Sequence, residues 1–158
     1  MTGGCGYIGS ALIPYLLAQD HEVTNIDTQW FGNGFLPQDN EHLTNIKADL
    51  RDTEQLEPIL KKTDAVIHLA GMTNDSACRA YPYEAKSINV DAFQSLVTLA
   101  LSSGIRRFIF PSSSAAYGNT DYAVTETHSL NPTTPYGLYK KDCEEMFKLS
   151  DNGGMNCY

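Results

Sequence analysis

The sequence lacks the features of a nucleic-acid-binding or membrane-spanning protein. Only 11 of its 158 residues are Lys or Arg, against 19 Asp or Glu, and the formal net charge is −8. Because phosphate backbones attract clustered positive charge, this acidic balance argues against a nucleic-acid partner. No apolar run approaches the roughly 20 residues that a membrane span needs, and no charged segment followed by an apolar core marks a signal peptide. We therefore expect a cytoplasmic protein without a membrane or nucleic-acid partner.

The few cysteines are too scattered to indicate a disulfide framework or a metal site. Cys5, Cys78, Cys143 and Cys157 form no Cys-x-x-Cys pair, and no histidine lies near them at metal-ligand spacing. We expect four reduced thiols, as is usual in the cytoplasm, and no metal. Cys5 lies inside a glycine-rich loop, where a small side chain that fills space is favoured over a nucleophile.

What the sequence does contain is an alternation of short apolar β-branched runs and longer helical patterns. This alternation is typical of βαβ units around a parallel sheet, so we predict a doubly wound α/β fold. The predicted strands are Glu22–Asp27, Asn45–Ala48, Ala65–Leu69 and Arg107–Phe110, and the predicted helices span roughly Tyr7–Gln19, Thr53–Lys61, Tyr83–Ser103 and Pro135–Leu149.

Both ends of the sequence look cut. Only Met1 and Thr2 precede the glycine-rich loop that begins at Gly3, although such a loop normally follows a complete strand. That strand is central in a doubly wound sheet, so its omission would leave an unpaired gap between two halves. At the other end, Met155–Tyr158 resembles the start of a further strand. We expect residues 1–158 to form one partial dinucleotide-binding domain of a longer protein.

The glycine-rich loop, TGGCGYIGS at Thr2–Ser10, predicts a phosphate-binding site. Gly3, Gly6 and Gly9 meet three demands: a tight turn, close backbone approach to a pyrophosphate, and close packing of a helix on a strand. The helix that begins near Tyr7 and Ile8 would point its N–H groups at the phosphates. Glycines that merely form turns are the alternative interpretation.

An acidic residue in the expected place supports a dinucleotide. The strand that follows the first helix ends in Asp27, 18 residues beyond Gly9, where a carboxylate can accept hydrogen bonds from the adenosine ribose. This carboxylate would repel the 2′-phosphate of NADP, and no Arg occurs in Thr28–Phe31. We therefore predict NAD as the cofactor, although Asp27 taken alone could be a surface turn residue.

A tyrosine and a lysine are spaced for acid–base chemistry. Tyr136 and Lys140 lie one turn apart after Pro135, which suits a first helical position, so they share a helix face. An ammonium near a phenol favours the phenolate and lowers its pKa from about 10 toward a working range. A solvated helix face would explain this pair if it stood alone.

Hydroxyl groups follow the strand Arg107–Phe110, in the segment Pro111–Gly118. Open α/β sheets bind ligands at the carboxyl ends of their strands. A serine there can hydrogen-bond a substrate hydroxyl or carbonyl while the tyrosine moves its proton. A polar turn of small residues is the alternative in the absence of the other motifs.

Taken together, these segments resemble the extended short-chain dehydrogenases/reductases, specifically the NAD-dependent epimerase/dehydratase group with its Rossmann-like fold. The resemblance covers nearly the whole chain, and the set of motifs in this order is highly specific. The matching segments are TGGCGYIGS at Thr2–Ser10, ADLRD at Ala48–Asp52, VIHLAG at Val66–Gly71, SINV at Ser87–Val90, SSSAAYG at Ser112–Gly118 and YGLYK at Tyr136–Lys140.

The resemblance implies further cofactor contacts. Asp49, with Leu50 beside it, would border the adenine ring. Leu69, Ala70 and Gly71 would run along the ribose and phosphates of NAD. Two other residues of the resembling motifs would have indirect roles: Asn89 would support the active-site helix, and His68 would be a structural strand residue.

The resemblance also implies the catalytic residues. Ser113, four residues before Tyr117, aligns with the catalytic serine or threonine. Tyr136 would be the acid–base residue, and Lys140 would hold the nicotinamide ribose and tune Tyr136. In family members that dehydrate the sugar, the corresponding positions hold Thr-Asp-Glu, where this chain has Ser113–Ala115. Without those two carboxylates we do not expect a 4,6-dehydratase.

The function that this resemblance implies is a nucleotide-sugar epimerase that works through a transient keto-sugar. Two alternatives stay open: an NAD-dependent sugar dehydrogenase or reductase with net cofactor turnover, and a non-catalytic dinucleotide-binding protein. The family also implies a homodimer packed through the helices Tyr83–Ser103 and Pro135–Leu149. A smaller C-terminal region, which these residues do not include, would hold the nucleotide-sugar.

Overall fold

The computed structural model describes residues 1–151 and 154–158, and within them parallel strands alternate with helices. This alternation confirms the predicted α/β class. The elements are α1 (Tyr7–Leu17), β1 (Val23–Asp27), β2 (Leu43–Lys47), α2 (Thr53–Leu60), β3 (Ala65–Ile67), α3 (Asp75–Ala80), α4 (Pro82–Lys86), a π-helical turn (Ser87–Asp91), α5 (Ala92–Ser102), β4 (Arg107–Ile109), a 3-10 turn (Ser114–Tyr117), α6 (Pro135–Asp151) and β5 (Asn156–Cys157).

The strands form two parallel groups that residues 1–3 join. β1 pairs with β2, and β3, β4 and β5 pair in that order. Between the groups, Thr2 forms bridges to Ile26 and to His68. Its N–H donates to the carbonyl of Ile67 at 3.0 Å, and its carbonyl accepts from the N–H of Leu69 at 2.9 Å. The expected gap at the centre of the sheet is therefore filled by a single bridging residue.

Two predicted helical regions differ from the structure. The helix predicted over Tyr83–Ser103 consists of α4, the π-helical turn and α5, because Pro82 starts α4 and the π-helical turn interrupts the α-helical register. Helix α3 was not predicted, since its six residues are too few to show a periodic pattern. Pro14 lies inside α1, as expected.

Apolar side chains form two clusters, one on each side of the sheet. The larger lies under α2, α5 and α6, and its fully buried members include Leu56, Phe93 and Phe108. The smaller lies under α1 and includes Ile13 and Leu17. Helices that cover both faces are the doubly wound arrangement predicted from the sequence. No helix among the described residues is long and apolar enough to cross a bilayer.

Candidate functional site

The backbone N–H groups of the glycine-rich loop, residues 3–6, point into the protein. The N–H of Gly3 donates to the carbonyl of Ile26, that of Gly4 to Oδ1 of Asn25 and that of Cys5 to Oδ2 of Asp27, each at 2.9 Å. The N–H of Gly6 donates to the carbonyl of Gly3 at 3.2 Å. An anion could reach these hydrogens only by breaking these bonds, three of which hold the loop on β1. The N–H groups that could hold an anion are therefore those at the start of the helix that follows.

The first turn of α1 supplies the N–H groups for an anion. An α-helix leaves its first N–H groups without a partner inside the helix, and here the N–H of Ser10 donates to the carbonyl of Gly6 at 2.9 Å. The preceding N–H groups belong to Tyr7, Ile8 and Gly9. The side chains of Tyr7 and Ile8 are 96% and 55% exposed, so solvent reaches this end of the helix. The start of α1 therefore offers backbone N–H donors together with the positive end of the helix dipole.

The three glycines of the motif differ in what a side chain at each position would contact. Gly3 has a φ of +74°, and a Cβ there would lie 2.4 Å from the backbone nitrogen of Ala70. A Cβ at Gly9 would lie 2.4 Å from Cα of Gly4. At Gly6 the nearest atom to an added Cβ is the carbonyl oxygen of Gly3 at 3.3 Å, a close contact but a milder one than at Gly3 or Gly9. Gly3 and Gly9 thus permit packing against neighbouring backbone, and Gly6 permits the tight turn of the loop.

Asp27 ends β1 beside the loop, as predicted, and has a second role that the sequence did not indicate. Its Oδ2 accepts from the N–H of Cys5 at 2.9 Å, and its Oδ1 accepts from the N–H of Gln29 at 2.7 Å. Each carboxylate oxygen has a further lone pair for a ribose hydroxyl. The same carboxylate therefore holds the loop and could still accept from a ligand hydroxyl.

Asn25 is a site residue that the sequence analysis missed. It lies two residues before Asp27 on β1, on the same face of the strand, and it is fully buried. An amide in the middle of a strand predicted to lie in a buried parallel sheet was the signal that could have identified it, because buried amides need partners.

Of the two residues predicted to border the adenine ring, Asp49 is half-buried and Leu50 is buried. Both guanidinium contacts of Arg51 go to Asp49, at 2.9 and 2.6 Å, and this bonding lowers the pKa of Asp49. Leu50 is 6% exposed, with its side chain packed in the larger apolar cluster. Because that side chain is buried in the core, Leu50 could meet an adenine ring only through its backbone.

The segment after β3 lies beside the glycine-rich loop, and the side chain of Asn89 forms two hydrogen bonds to its backbone. Oδ1 of Asn89 accepts from the N–H of Met72 at 2.8 Å, and its Nδ2 donates to the carbonyl of Met72 at 3.1 Å. A Cβ at Gly71 would lie 2.7 Å from the same Oδ1. The carbonyl of Asn89 accepts from Sγ of Cys143 on α6 at 3.1 Å. Asn89 thus links the Leu69–Gly71 segment to the helix that carries the predicted catalytic pair.

Ser113, Tyr136 and Lys140 are brought together at the carboxyl end of β4. Oγ of Ser113 accepts from the N–H of Ala115 at 3.2 Å and so caps the 3-10 turn. A Cβ at Gly137 would lie 2.4 Å from the carbonyl oxygen of Ala115, so the first turn of α6 packs tightly on this segment. The turn that Ser113 caps and the helix turn that holds Tyr136 are therefore neighbours.

The ammonium of Lys140 lies closer to Pro111 and Phe110 than to Tyr136, although we expected it to lower the pKa of that tyrosine. Its Nζ donates to the carbonyl of Pro111 at 2.8 Å and lies 4.2 Å above the ring centre of Phe110, but 5.7 Å from that of Tyr136. Burial raises the pKa of Tyr136, with a contribution from Cys78, and burial lowers the pKa of Lys140. The expected lowering of the tyrosine pKa is therefore wrong for this state, in which Tyr136 is a neutral phenol.

A small cavity of about 10 Å³ lies against this cluster, lined among others by His68, Asn89, Tyr136 and Lys140. His68 is 3% exposed, and its Nδ1 lies 2.8 Å from Oγ1 of Thr2. Burial, together with the positive charge of Lys140, lowers the pKa of His68 to about 3. His68 is therefore neutral near pH 7, which agrees with the structural role expected for it.

The burial of His68 predicts sensitivity to acid. The unfolded chain binds this proton near pH 6.5 but the folded chain only near pH 3, so the stabilising contribution is present above 6.5 and is lost as the pH falls toward 3. We expect a loss of roughly 2–3 kcal/mol of unfolding free energy between pH 6.5 and about pH 4.5 from this group. Urea unfolding at both pH values should show this loss in the native sequence.

The matched variants for this prediction are His68→Gln and His21→Gln, since His21 is exposed. His68→Gln should be less stable at neutral pH but should lose less stability on acidification. His21→Gln should behave like the native sequence. An identical pH dependence in His68→Gln and the native sequence would contradict the assignment.

Comparison with known proteins shows which proteins this chain is similar to. The sequence model of the family described as "NAD dependent epimerase/dehydratase family" matches residues 1–156. A putative UDP-glucose 4-epimerase of Methanocaldococcus jannaschii is 34% identical over 152 residues, which cover 94% of this chain and 49% of that protein.

Two solved structures share the fold over 99% of this chain. One is the UDP-N-acetylglucosamine 4-epimerase from Methanobrevibacter ruminantium M1 in complex with UDP-N-acetylmuramic acid, with a TM-score of 0.92 and 36% identity. The other is the UDP-glucose 4-epimerase of Thermus thermophilus in complex with NAD, with a TM-score of 0.91 and 25% identity. The chain covers 51% of each, so it spans about half the length of the proteins that it matches.

Proposed function

The chain belongs to the NAD dependent epimerase/dehydratase family, and from this premise we propose that it is the NAD-binding part of a nucleotide-sugar epimerase. The observation that carries the proposal is the grouping of Ser113, Tyr136 and Lys140 at the carboxyl end of β4. The similarity to UDP-sugar 4-epimerases, at 34–36% identity, supports a UDP-sugar as the substrate class.

The residues beside the glycine-rich loop fit NAD. The N–H groups of Tyr7 and Ile8 would bind the pyrophosphate at the start of α1. Asp27 would accept from the adenosine ribose, and its negative charge disfavours the 2′-phosphate of NADP. Leu69, Ala70 and Gly71, at the adjacent strand end, would run along the cofactor.

In the proposed reaction, bound NAD supplies the site that accepts hydride from the sugar and returns it. Tyr136 would take the proton from the sugar hydroxyl through its phenolic oxygen and later give it back. Oγ of Ser113 would hydrogen-bond the same hydroxyl and hold it in place. Lys140 would bind the nicotinamide ribose with the ammonium that now donates to Pro111, and its charge near Tyr136 would favour the phenolate.

The sugar-nucleotide itself would be held by a region outside these 158 residues. The length of the relatives supports this part of the proposal. We further propose a homodimer that packs through α5 and α6, as the family resemblance implies. Sedimentation of the complete protein tests the dimer, and a monomeric mass would contradict it.

The first test of the proposed function is calorimetric titration of the chain with NAD and, separately, with NADP. Binding with NAD preferred is the expected result, and no binding of either by a folded chain would contradict the dinucleotide site. With a UDP-sugar, the complete protein should convert substrate without accumulating NADH. Accumulation of NADH in proportion to product would instead indicate a dehydrogenase.

Asp27→Ala should separate the two roles of this carboxylate. Loss of the bond to Cys5 loosens the loop and weakens NAD and NADP alike, whereas loss of the negative charge weakens the discrimination against NADP. We expect NAD affinity to fall about tenfold or more and the preference for NAD over NADP to narrow. Titration of both cofactors measures this, with Asp39→Ala, a change of an exposed carboxylate, as the control. An unchanged ratio would mean that Asp27 does not face the ribose.

A further inference from the structure

Asn25 is an amide in a place where the fold otherwise uses apolar side chains. It lies on β1 with no exposed surface, and its strand neighbours Val23 and Ile26 belong to the two apolar clusters. Burying an amide without hydrogen bonds is strongly unfavourable, because the group loses its bonds to water and gains none. An isolated Asn at this position would therefore weaken the fold, and its partners decide what it does.

Those partners use both ends of the amide. Oδ1 of Asn25 accepts from the N–H of Gly4 at 2.9 Å. Nδ2 donates to Oδ1 of Asn45, on the adjacent strand β2, at 2.8 Å, and to Sγ of Cys5 at 3.5 Å. Because the N–H of Gly4 can only donate, it fixes which end of the amide faces the loop. Both hydrogens of Nδ2 are then directed to Asn45 and Cys5.

The loop rests directly on this amide. A Cβ at Gly4 would lie 2.2 Å from Oδ1 of Asn25, so the backbone at Gly4 approaches the amide as closely as a glycine allows. The next N–H, that of Cys5, is held by Asp27 two residues further along the same strand. Consecutive N–H groups of the loop are thus bound by alternate residues of β1.

We propose that Asn25 is a positioning residue of the cofactor site, which turns the N–H of Gly4 inward and so presents the N–H groups of Tyr7 and Ile8 to the phosphates of the dinucleotide. Asn45 accepts from the other end of the amide, on the side away from Gly4. This inference rests on the proposed function, because it assigns a role toward the same ligand.

The chemistry of the site favours an amide over the alternatives. An apolar side chain would leave the N–H of Gly4 without its partner, free to turn toward solvent. A carboxylate could accept the same bond but would add a second negative charge, next to Asp27, beneath a site that binds phosphates. An amide accepts from the loop without charge and can donate to Asn45 at the same time.

The test compares Asn25→Val with Asn45→Val. Both remove one member of the hydrogen-bonded pair Asn25–Asn45, but only Asn25→Val removes the bond to Gly4. Three quantities are measured for each: the thermal midpoint, the NAD dissociation constant well below that midpoint, and the hydrogen exchange rate of the Gly4 amide without cofactor.

For Asn25→Val we expect the NAD dissociation constant to rise about tenfold and exchange of the Gly4 amide to accelerate by a similar factor. Asn45→Val should lower the thermal midpoint but keep NAD affinity within about twofold, with the Gly4 amide still protected. A purely structural role would make both variants alike, and unchanged NAD affinity in a folded Asn25→Val would overturn the proposal.

Two further outcomes remain informative. If Asn25→Val does not fold, exchange at Gly4 in the native chain decides: slow exchange supports the inward bond and fast exchange contradicts the proposal. If the native chain binds no NAD, the proposed function fails and the inference with it, whereas weakened binding confined to Asn25→Val supports both.

Discussion

Replacing Tyr136 by phenylalanine should lower turnover by a factor on the order of 10² or more, the scale of lost general acid–base catalysis. The change removes one oxygen from a half-buried side chain in the first turn of α6 and leaves the ring that packs there. NAD affinity should change little, because the phosphate and adenosine contacts lie at the other end of the site. The readouts are initial rates with a UDP-sugar in the complete protein and calorimetric titration with NAD.

The matched control is Tyr139→Phe, which makes the same chemical change three residues along the same helix. The hydroxyl of Tyr139 donates to the carbonyl of Pro82, at the start of α4, at 3.3 Å. Its loss should lower the thermal midpoint slightly and leave most of the activity. If Tyr136→Phe were as active as Tyr139→Phe, the acid–base assignment would be wrong.

The largest effect on stability is expected for Gly3→Ala. Gly3 combines a φ of +74° with an added Cβ that would lie 2.4 Å from the nitrogen and 2.6 Å from the Cα of Ala70. Both are backbone atoms next to β3, so no side chain can rotate away. The N–H of Gly3 also donates to Ile26 at 2.9 Å, where the two strand groups join. We expect a loss of about 3 kcal/mol or more, or failure to fold.

Gly34→Ala provides the comparison for this variant. An added Cβ at Gly34 would meet nothing within 4 Å, so the substitution should leave the unfolding free energy nearly unchanged. Urea unfolding followed by circular dichroism measures both variants. Equal stability of Gly3→Ala and Gly34→Ala would show that the turn can adopt another conformation.

Features that depend on sequence-local spacing were predictable. The glycine pattern, the acidic residue after the next strand and the Tyr–Lys spacing each reflect one turn or one strand, and the structure places them at one edge of the sheet. The class of fold followed from the alternation of strands and helices. Helix α1 keeps Pro14 because its neighbours retain helical spacing.

Features that depend on tertiary contacts were not predictable. The role of Asn25 requires knowing that β1 lies beneath the loop and beside Asn45. Burial raises the pKa of Tyr136, and Cys78, which lies far from it in sequence, adds to the rise. The π-helical turn between α4 and α5 holds Asn89, whose side chain bonds Met72. In each case the deciding partner is distant in sequence.

The position of Lys140 has a consequence for the rigidity of the site. An ammonium has three N–H donors, and one of them bonds the carbonyl of Pro111 at 2.8 Å. In the proposed enzyme, the nicotinamide ribose would bind a second donor of the same group and leave the bond to Pro111 in place. One side chain would thus tie α6 to the end of β4 and to the cofactor together.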